Sequence, residues 1–190
     1  MTWIRTIPPD QESGASAEAY AALGGKASAK QVSNIWQALS LDPGGLAATF
    51  GLRAALLNDP SPLTMAQAEA IVLVVSATNG CAYCVAHHGP KLAKALGNET
   101  LAHAVALDYR EADLQARDRV LLDYAVALTC EPAERKQEDI ERLREYGFDD
   151  AAVLKVTEIT AFYNAVNRIV CGLNVELEDG VTPWEFGAQR

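Results

Sequence analysis

The sequence predicts an all-α protein. Alanine and leucine are abundant, while the strict apolar–polar alternation of strands is scarce. Breakers such as Asn79-Gly80, Gly97, Gly147 and Gly172 punctuate the chain after runs of helical pattern. Thr64 and Gln67 have the spacing of a capping box ahead of an apolar run.

Taken in order, residues 1–15 read as an extended N-terminal arm, given Pro8-Pro9 and Ser13-Gly14. Short helical segments follow at 16–23 and 30–40. Asp42-Pro43-Gly44 breaks the chain, and another helix runs to about Leu57. After the breaker Asn58-Asp59-Pro60-Ser61-Pro62 comes a helix over 65–78. Its middle, AIVLVVSA, is apolar nearly all round, which predicts a central buried helix. The next helix starts at Cys81 or Ala82 and ends at Gly97, a residue suited to a left-handed cap. Asn98 caps a short helix to about Leu107. Asp113 starts a longer one that ends before Glu131-Pro132. The charged stretch 134–145 reads as a solvated helix. Asp149 or Asp150 caps the last long helix, which runs to about Cys171. Residues 16–178 form a single helical domain with the CxxC core at 64–97, and 179–190 read as an irregular tail. Apolar helices before and after about residue 110 point to a pseudo-repeat of two helical halves.

The length of 190 residues suits one domain with a substantial core. A hydrophobic fraction of 49% with 22% charged residues is ordinary for a globular chain. The net charge of −9 repels phosphate backbones and anionic lipid, which argues against nucleic-acid and membrane partners. The opening MTWIRTIPPDQESG lacks the apolar region of a signal peptide. The longest apolar run, Ala70–Val75, is too short to span a bilayer. The expectation is a soluble cytoplasmic protein. In a reducing compartment, clustered cysteines are redox-active or metal-binding more often than structural.

Such a cluster exists. NGCAYCVAHHG, residues 79–89, holds two of the four cysteines and two of the three histidines. On a helix, Cys81, Cys84 and His88 fall at i, i+3 and i+7, on one stripe, whereas His87 points to the side. Both cysteines would lie in the first turn, where unpaired N–H groups and the helix dipole favour thiolate. Glu69 lies in the preceding helix among apolar residues, where desolvation would raise its pKa toward that of a general base. Zinc would need about four ligands; Cys81, Cys84 and His88 supply three, and Cys130, Cys171 and His103 are isolated in sequence. Val85 after Cys84 excludes the CxxCH of a c-type haem, and thioredoxin would need a βαβ context. An inert buried pair is the remaining alternative to a redox dithiol.

The spacing Glu69-x11-Cys81-x2-Cys84-x3-His88 resembles the pattern of the alkylhydroperoxidase AhpD-like group of the carboxymuconolactone decarboxylase superfamily. VSNIWQALSLDP, LTMAQAEAIVLVVSATNGCAYCVAHHG and AFYNAVNRIVCGLNVELE are similar to its peroxidase-related branch, over roughly residues 20–178. The resemblance implies an AhpD-like helical bundle assembled as a homo-oligomer of trimeric or hexameric type. It implies a thiol peroxidase or disulfide reductase without cofactor or metal, acting on a hydroperoxide and reduced by a dithiol, lipoyl-type in some relatives. Carried over, Cys84 is the peroxidatic thiol, Cys81 resolves its sulfenic acid, and His88 with Glu69 forms the proton relay. Tyr83 departs from the better-known members, which carry histidine before the second cysteine; a phenol cannot replace imidazole as a base at neutral pH.

Two other readings stay open. One is a cofactor-free decarboxylase acting on a lactone, although such members generally lack CxxC. The other is a non-catalytic redox-sensing or metal-binding domain. Asn164, Asn167 and Arg168 form a second family-like feature; Arg168 would pair with a carboxylate between subunits or helices, the alternative being an anion or substrate contact. Cys130 and Cys171 read as small apolar residues, and His103 as an ordinary core or surface histidine.

Overall fold

The computed structural model describes residues 2–23 and 32–189. Among them the regular structure is entirely helical. The elements are α1 (Ala15–Ala22), α2 (Asn34–Ala38), α3 (Pro43–Leu57), α4 (Met65–Thr78), α5 (Ala82–Leu96), α6 (Glu99–Asp108), α7 (Ala116–Cys130), α8 (Gln137–Glu145) and α9 (Asp150–Leu173), with a 3₁₀ turn at Pro132–Glu134. No helix among the described residues is long and apolar enough to cross a membrane.

Helix α4 is the axis of the bundle. Thr64 accepts from the Gln67 amide at 3.1 Å and donates its own amide to the Gln67 side chain at 3.0 Å, so the capping box closes in both directions. Every residue from Ala68 to Thr78 is buried. The helix is wrapped by α5, α6, α7 and α9. Helices on both sides of residue 110 contribute to this one core, from Ile71 to Leu121 and Ile159. A smaller cluster of Ala19, Tyr20, Val32 and Leu46 seats α1 on α3.

The end of α4 determines where α5 begins. Gly80 takes a φ of 69°, the left-handed region that glycine adopts without strain. The Cys81 amide then reaches back to the Ser76 carbonyl at 2.9 Å and the Gly80 amide to Ala77 at 3.0 Å. This paired closure is a Schellman motif. It delivers Cys81 to the N-cap of α5 and folds α5 back along α4.

Several boundaries differ from the sequence expectation. The helix expected at 30–40 is only one turn, Asn34–Ala38; residues 30 and 31 lie outside the described part. The helix expected from Asp113 starts at Ala116. There the Arg119 guanidinium donates to the carbonyls of Tyr109, Arg110 and Ala112, which holds 109–112 as a turn. Helix α8 is solvated as expected, with Leu143 its only buried residue.

The segments outside the helices are tied down. In the N-terminal arm, the Ile7 amide donates to Ser40 at 2.7 Å and the Ile7 carbonyl accepts from Tyr20 at 2.6 Å. The C-terminal segment lacks regular structure yet packs against α5 and α6. Gln189 is buried and donates to the Ala106 carbonyl at 2.7 Å, while Trp184 stacks on His103 with ring centroids 3.8 Å apart. Gly89 of α5 faces the Trp184 ring so closely that a β-carbon there would overlap it. Gly89→Ala should therefore displace the C-terminal segment and cost about 1–3 kcal/mol. A lowered Tm together with red-shifted tryptophan emission checks this; an unchanged melt would show that the segment contributes no stability.

Candidate active site

The α4–α5 hairpin brings the four residues of the sequence motif into two touching pairs. The first is the dithiol. Cys81 caps α5 and Cys84 lies three residues on, in its first turn; their sulfurs are 2.7 Å apart. Both are buried, at 1% and 4% exposure, and both are free thiols. Burial does not act on Cys81 as helix position alone predicts. Its hydrogen bond with Cys84 and its desolvation push its pKa far up, so it remains a protonated thiol. The expected thiolate character of Cys81 is thus overturned.

The second pair is Glu69 and His88. His88 Nδ1 lies 2.6 Å from Glu69 Oε2, and the residues are 7% and 4% exposed. Desolvation is the largest influence on Glu69 and raises its pKa. The His88 hydrogen bond and charge, with Lys91 and Arg53, outweigh it, and the carboxyl is held below its ordinary value. This reverses the raised pKa expected from the apolar sequence context, which did not show the partner. His88 is pushed down to about 4, chiefly by burial and only partly restored by Glu69. At neutral pH the pair is therefore carboxylate and neutral imidazole, with Nδ1–H donating to Glu69. The remaining nitrogen, Nε2, lies 3.1 Å from the Tyr163 hydroxyl of α9, which donates to it.

Cys84 and His88 sit one helical turn apart and open onto the same cavity, of about 250 Å³. Its apolar wall comes from Trp36, Phe50, Phe162 and Val166. Its polar wall includes Tyr83, His87, Arg53 and Lys91. His87, set aside by the helical projection, thus faces the site after all. His87 Nε2 is 2.8 Å from Glu178 Oε2, and the Tyr83 hydroxyl donates to Glu178 Oε1 at 2.6 Å. The Asn34 amide donates to the same carboxylate at 2.5 Å. These donors overcome the upward push of burial and bring Glu178 down to about 2. Burial and the Glu178 carboxylate together push the Tyr83 phenol up, so it acts as a donor.

Sequence reasoning missed Glu178 and Tyr163. Both fall in a stretch that resembles the family, but nothing in their spacing ties residues 95 and 75 positions away to the CxxC helix. Asn164 and Asn167 prove structural. Both accept from the Asn79 side chain at 3.0 Å, and Asn167 also donates to Ser76 at 3.2 Å, locking α9 to the turn before Cys81. Arg168 is exposed and bonds back to Asn164, with no carboxylate at ion-pair distance among the described residues. The pairing expected between helices is therefore absent among the described residues of one protomer. Cys130 and Cys171, expected as apolar filling, are both exposed. Among the described residues no group of three or more His, Cys, Asp or Glu is disposed to hold a metal, and both ring nitrogens of His88 are already engaged.

Residues 43–108, which span α3 to α6 and the whole dithiol hairpin, match the model of the carboxymuconolactone decarboxylase family. The fold agrees. A structure from Ralstonia eutropha JMP134, described as an alkylhydroperoxidase AhpD core and uncharacterized peroxidase-related protein, superposes with a TM-score of 0.83 at 29% identity, covering 96% of this chain and 97% of that one. The chain has the AhpD-like fold, and its residues 43–108 are similar to the carboxymuconolactone decarboxylase family. A second peroxidase-related protein, from Silicibacter sp. TM1040, gives a TM-score of 0.81 at 28% identity over 95% of this chain and 93% of that one. The debrominase Bmp8, in complex with 2,3,4-tribromopyrrole, shares the fold at 17% identity, with a TM-score of 0.73 over 94% of this chain and 95% of that one. No curated protein matches the chain.

The depressed His88 pKa has a measurable consequence in this AhpD-like protein. With a folded pKa of about 4 against 6.5 for a free imidazole, the unfolded chain binds the extra proton between those values. The stabilisation is complete above pH 6.5 and is lost as pH falls toward 4, by about 3 kcal/mol. Glu69, also depressed, adds loss in the same direction below its ordinary value of 4.5. Thermal melts across this range should show a falling Tm in wild type and a shallower slope in His88→Gln. Equal slopes would assign the titration to another group.

Proposed function

We propose that the chain is a thiol-dependent peroxidase, or more broadly a disulfide oxidoreductase, working through the Cys81–Cys84 dithiol. The observation that carries the reading is the pairing of two buried sulfurs 2.7 Å apart with a cavity that Cys84 and His88 line, His88 being held from behind by Glu69. Similarity to proteins described as peroxidase-related supports it.

The chemistry follows from the geometry. Cys84 is the sulfur that faces the cavity, so it meets the hydroperoxide. Its proton passes to His88 Nε2, by way of the Tyr163 hydroxyl or a water, and Glu69 stabilises the imidazolium that forms. The Cys84 thiolate attacks the terminal peroxide oxygen, the O–O bond breaks, and His88 returns the proton to the departing alkoxide. The products are an alcohol and Cys84 sulfenic acid. Cys81 then attacks the Cys84 sulfur and releases water, forming the Cys81–Cys84 disulfide. Held protonated while Cys84 is reduced, Cys81 does not compete for the peroxide; in the resolving step its proton leaves with the sulfenic hydroxyl as water. An external dithiol, of lipoyl type in this reading, restores both thiols.

The family match also allows a second reading, a cofactor-free decarboxylase. The two separate on the thiols: decarboxylation would survive their alkylation, and peroxide turnover would not. In peroxide turnover with dihydrolipoamide, Cys84→Ser should reduce activity to background. Glu69→Gln should lower kcat by about 10²-fold or more, the scale of general acid–base catalysis. In Cys81→Ser, peroxide should leave a Cys84 sulfenic acid that dimedone captures. Wild-type turnover by Cys84→Ser would refute the reading.

A further inference from the structure

The cavity at Cys84 carries more than the dithiol chemistry uses. Its lining includes two fixed cations, Arg53 of α3 and Lys91 of α5, and, among the described residues, no aspartate or glutamate. In a chain of 25 acidic and 16 basic residues, that sign is the opposite of the average surface. The two carboxylates of the site do not neutralise the pair from within the lining. Glu69 is bonded to His88 and Glu178 to His87, each standing behind its histidine. Among the described residues neither Arg53 nor Lys91 has a carboxylate at ion-pair distance. Position orders the cavity. Cys84, His88 and Lys91 follow at i, i+4 and i+7 on α5, one stripe, so Lys91 lies about 10 Å along the helix from the thiol. Cys84 and His88 are buried, whereas Lys91 is exposed and Arg53 half-buried. The cations thus mark the mouth and the thiol the floor. The wall is aromatic, from Trp36, Phe50 and Phe162, with the Trp36 and Phe50 rings edge to face at 5.2 Å.

From this order, a thiol at the floor, an aromatic wall and two cations without carboxylate partners at the mouth, we propose that the cavity takes an anionic organic hydroperoxide, one that carries a carboxylate on a compact aromatic or apolar body, and that Arg53 and Lys91 select it. The proposal rests on the dithiol reading above, whose substrate class it narrows. The carboxylate stays at the wet mouth, so binding does not require its full desolvation. Arg53 offers it a planar fork of donors and Lys91 a point charge. The apolar body covers the aromatic wall and displaces water from it. At about 250 Å³ the cavity lies below the roughly 300–1,000 Å³ of drug-sized pockets, which suits a ring-sized body rather than a long acyl chain. A neutral hydroperoxide can enter with either end first. An anion held at the mouth turns the peroxide end inward, toward Cys84, so more of the bound molecules are placed to react.

Two hydroperoxides that differ only in charge decide the matter: cumene hydroperoxide and its para-carboxy derivative, each turned over with dihydrolipoamide, an uncharged reductant. In wild type, kcat/KM should be about tenfold or more higher for the carboxylate, the scale of a hydrogen bond between charged groups, and the ratio should shrink with added salt. In the double variant Arg53→Gln/Lys91→Gln the ratio should fall to within about twofold, through KM of the carboxylate. Lys91→Arg, which keeps the charge, should retain the preference. A ratio within about twofold in wild type, or one that survives the double substitution, overturns the anion site. The two corresponding alcohols, which lack the peroxide bond, separate this claim from the peroxidase reading when titrated by calorimetry. If neither hydroperoxide is turned over, but the carboxylate alcohol binds wild type about tenfold or more tighter than the neutral one and loses that advantage in the double variant, the peroxidase reading fails and the anion site stands. If both hydroperoxides are turned over equally, the peroxidase reading stands and the anion site fails.

Discussion

A carboxylate buried in the middle of the most apolar helix is the constraint around which the molecule is arranged. Glu69 sits in α4, where its neighbours are alanine, isoleucine, valine and leucine. An unpaired charge there would cost several kcal/mol, so it needs a partner within hydrogen-bonding reach. That partner is His88, nineteen residues on. The chain can bring the two together only by reversing direction sharply between them. Gly80 supplies the reversal, and the Schellman closure that it permits fixes the exit of α4 and the entry of α5 together. The placement of Cys81 at the cap of α5 follows from the same turn. One electrostatic requirement thus couples the fold of the hairpin to the position of both thiols.

The site holds a second pairing of the same kind. His87 and Tyr83 share Glu178, which reaches them from beyond the end of α9. Of the two carboxylates, Glu69 serves the buried imidazole and Glu178 the one nearer the surface. Tyr83 occupies the place where relatives carry histidine, and the departure suggested a relay with one group fewer. In the folded chain the phenol instead helps orient a carboxylate, and that carboxylate holds an imidazole one turn further along α5. The cavity therefore keeps two histidines, His88 at the position that the resemblance implied and His87 at one that it did not.

What could be read beforehand was local. Thr64 and Gln67 are three residues apart, and Asn79-Gly80 are adjacent, so their effects follow from short-range backbone chemistry. The same holds for the Cys81, Cys84 and His88 stripe, which depends only on helical pitch. Glu69 was legible as a residue but not in its protonation behaviour. Its apolar neighbours argued for a raised pKa, while the opposing hydrogen bond and charge came from His88 on another helix. Tyr163 and Glu178 were illegible for one shared reason. Each reaches α5 across a tertiary contact made by α9 or the segment after it, and no periodicity within the chain marks such a contact. The start of α7 was missed likewise, because Arg119 caps the carbonyls of a turn that lies before its own helix.

Helix α9 emerges as the element that gives the hairpin two distinct sides. Its inner residues Phe162, Tyr163 and Val166 close the cavity on the Cys84 side. One stripe further round, Asn164 and Asn167 grip the turn before Cys81. The same 24-residue helix thus bounds the Cys84 cavity with one face and holds the turn before Cys81 with another. Toward Cys84 it presents aromatic surface and the hydroxyl bonded to His88, which suits the entry of the apolar body of a hydroperoxide and the movement of a proton. Toward the turn before Cys81 it presents amides, which hold the entry of α5 in place. In the proposed peroxidase reading, the raised pKa of Cys81 keeps it from competing with Cys84, the sulfur at the cavity, for the oxidant.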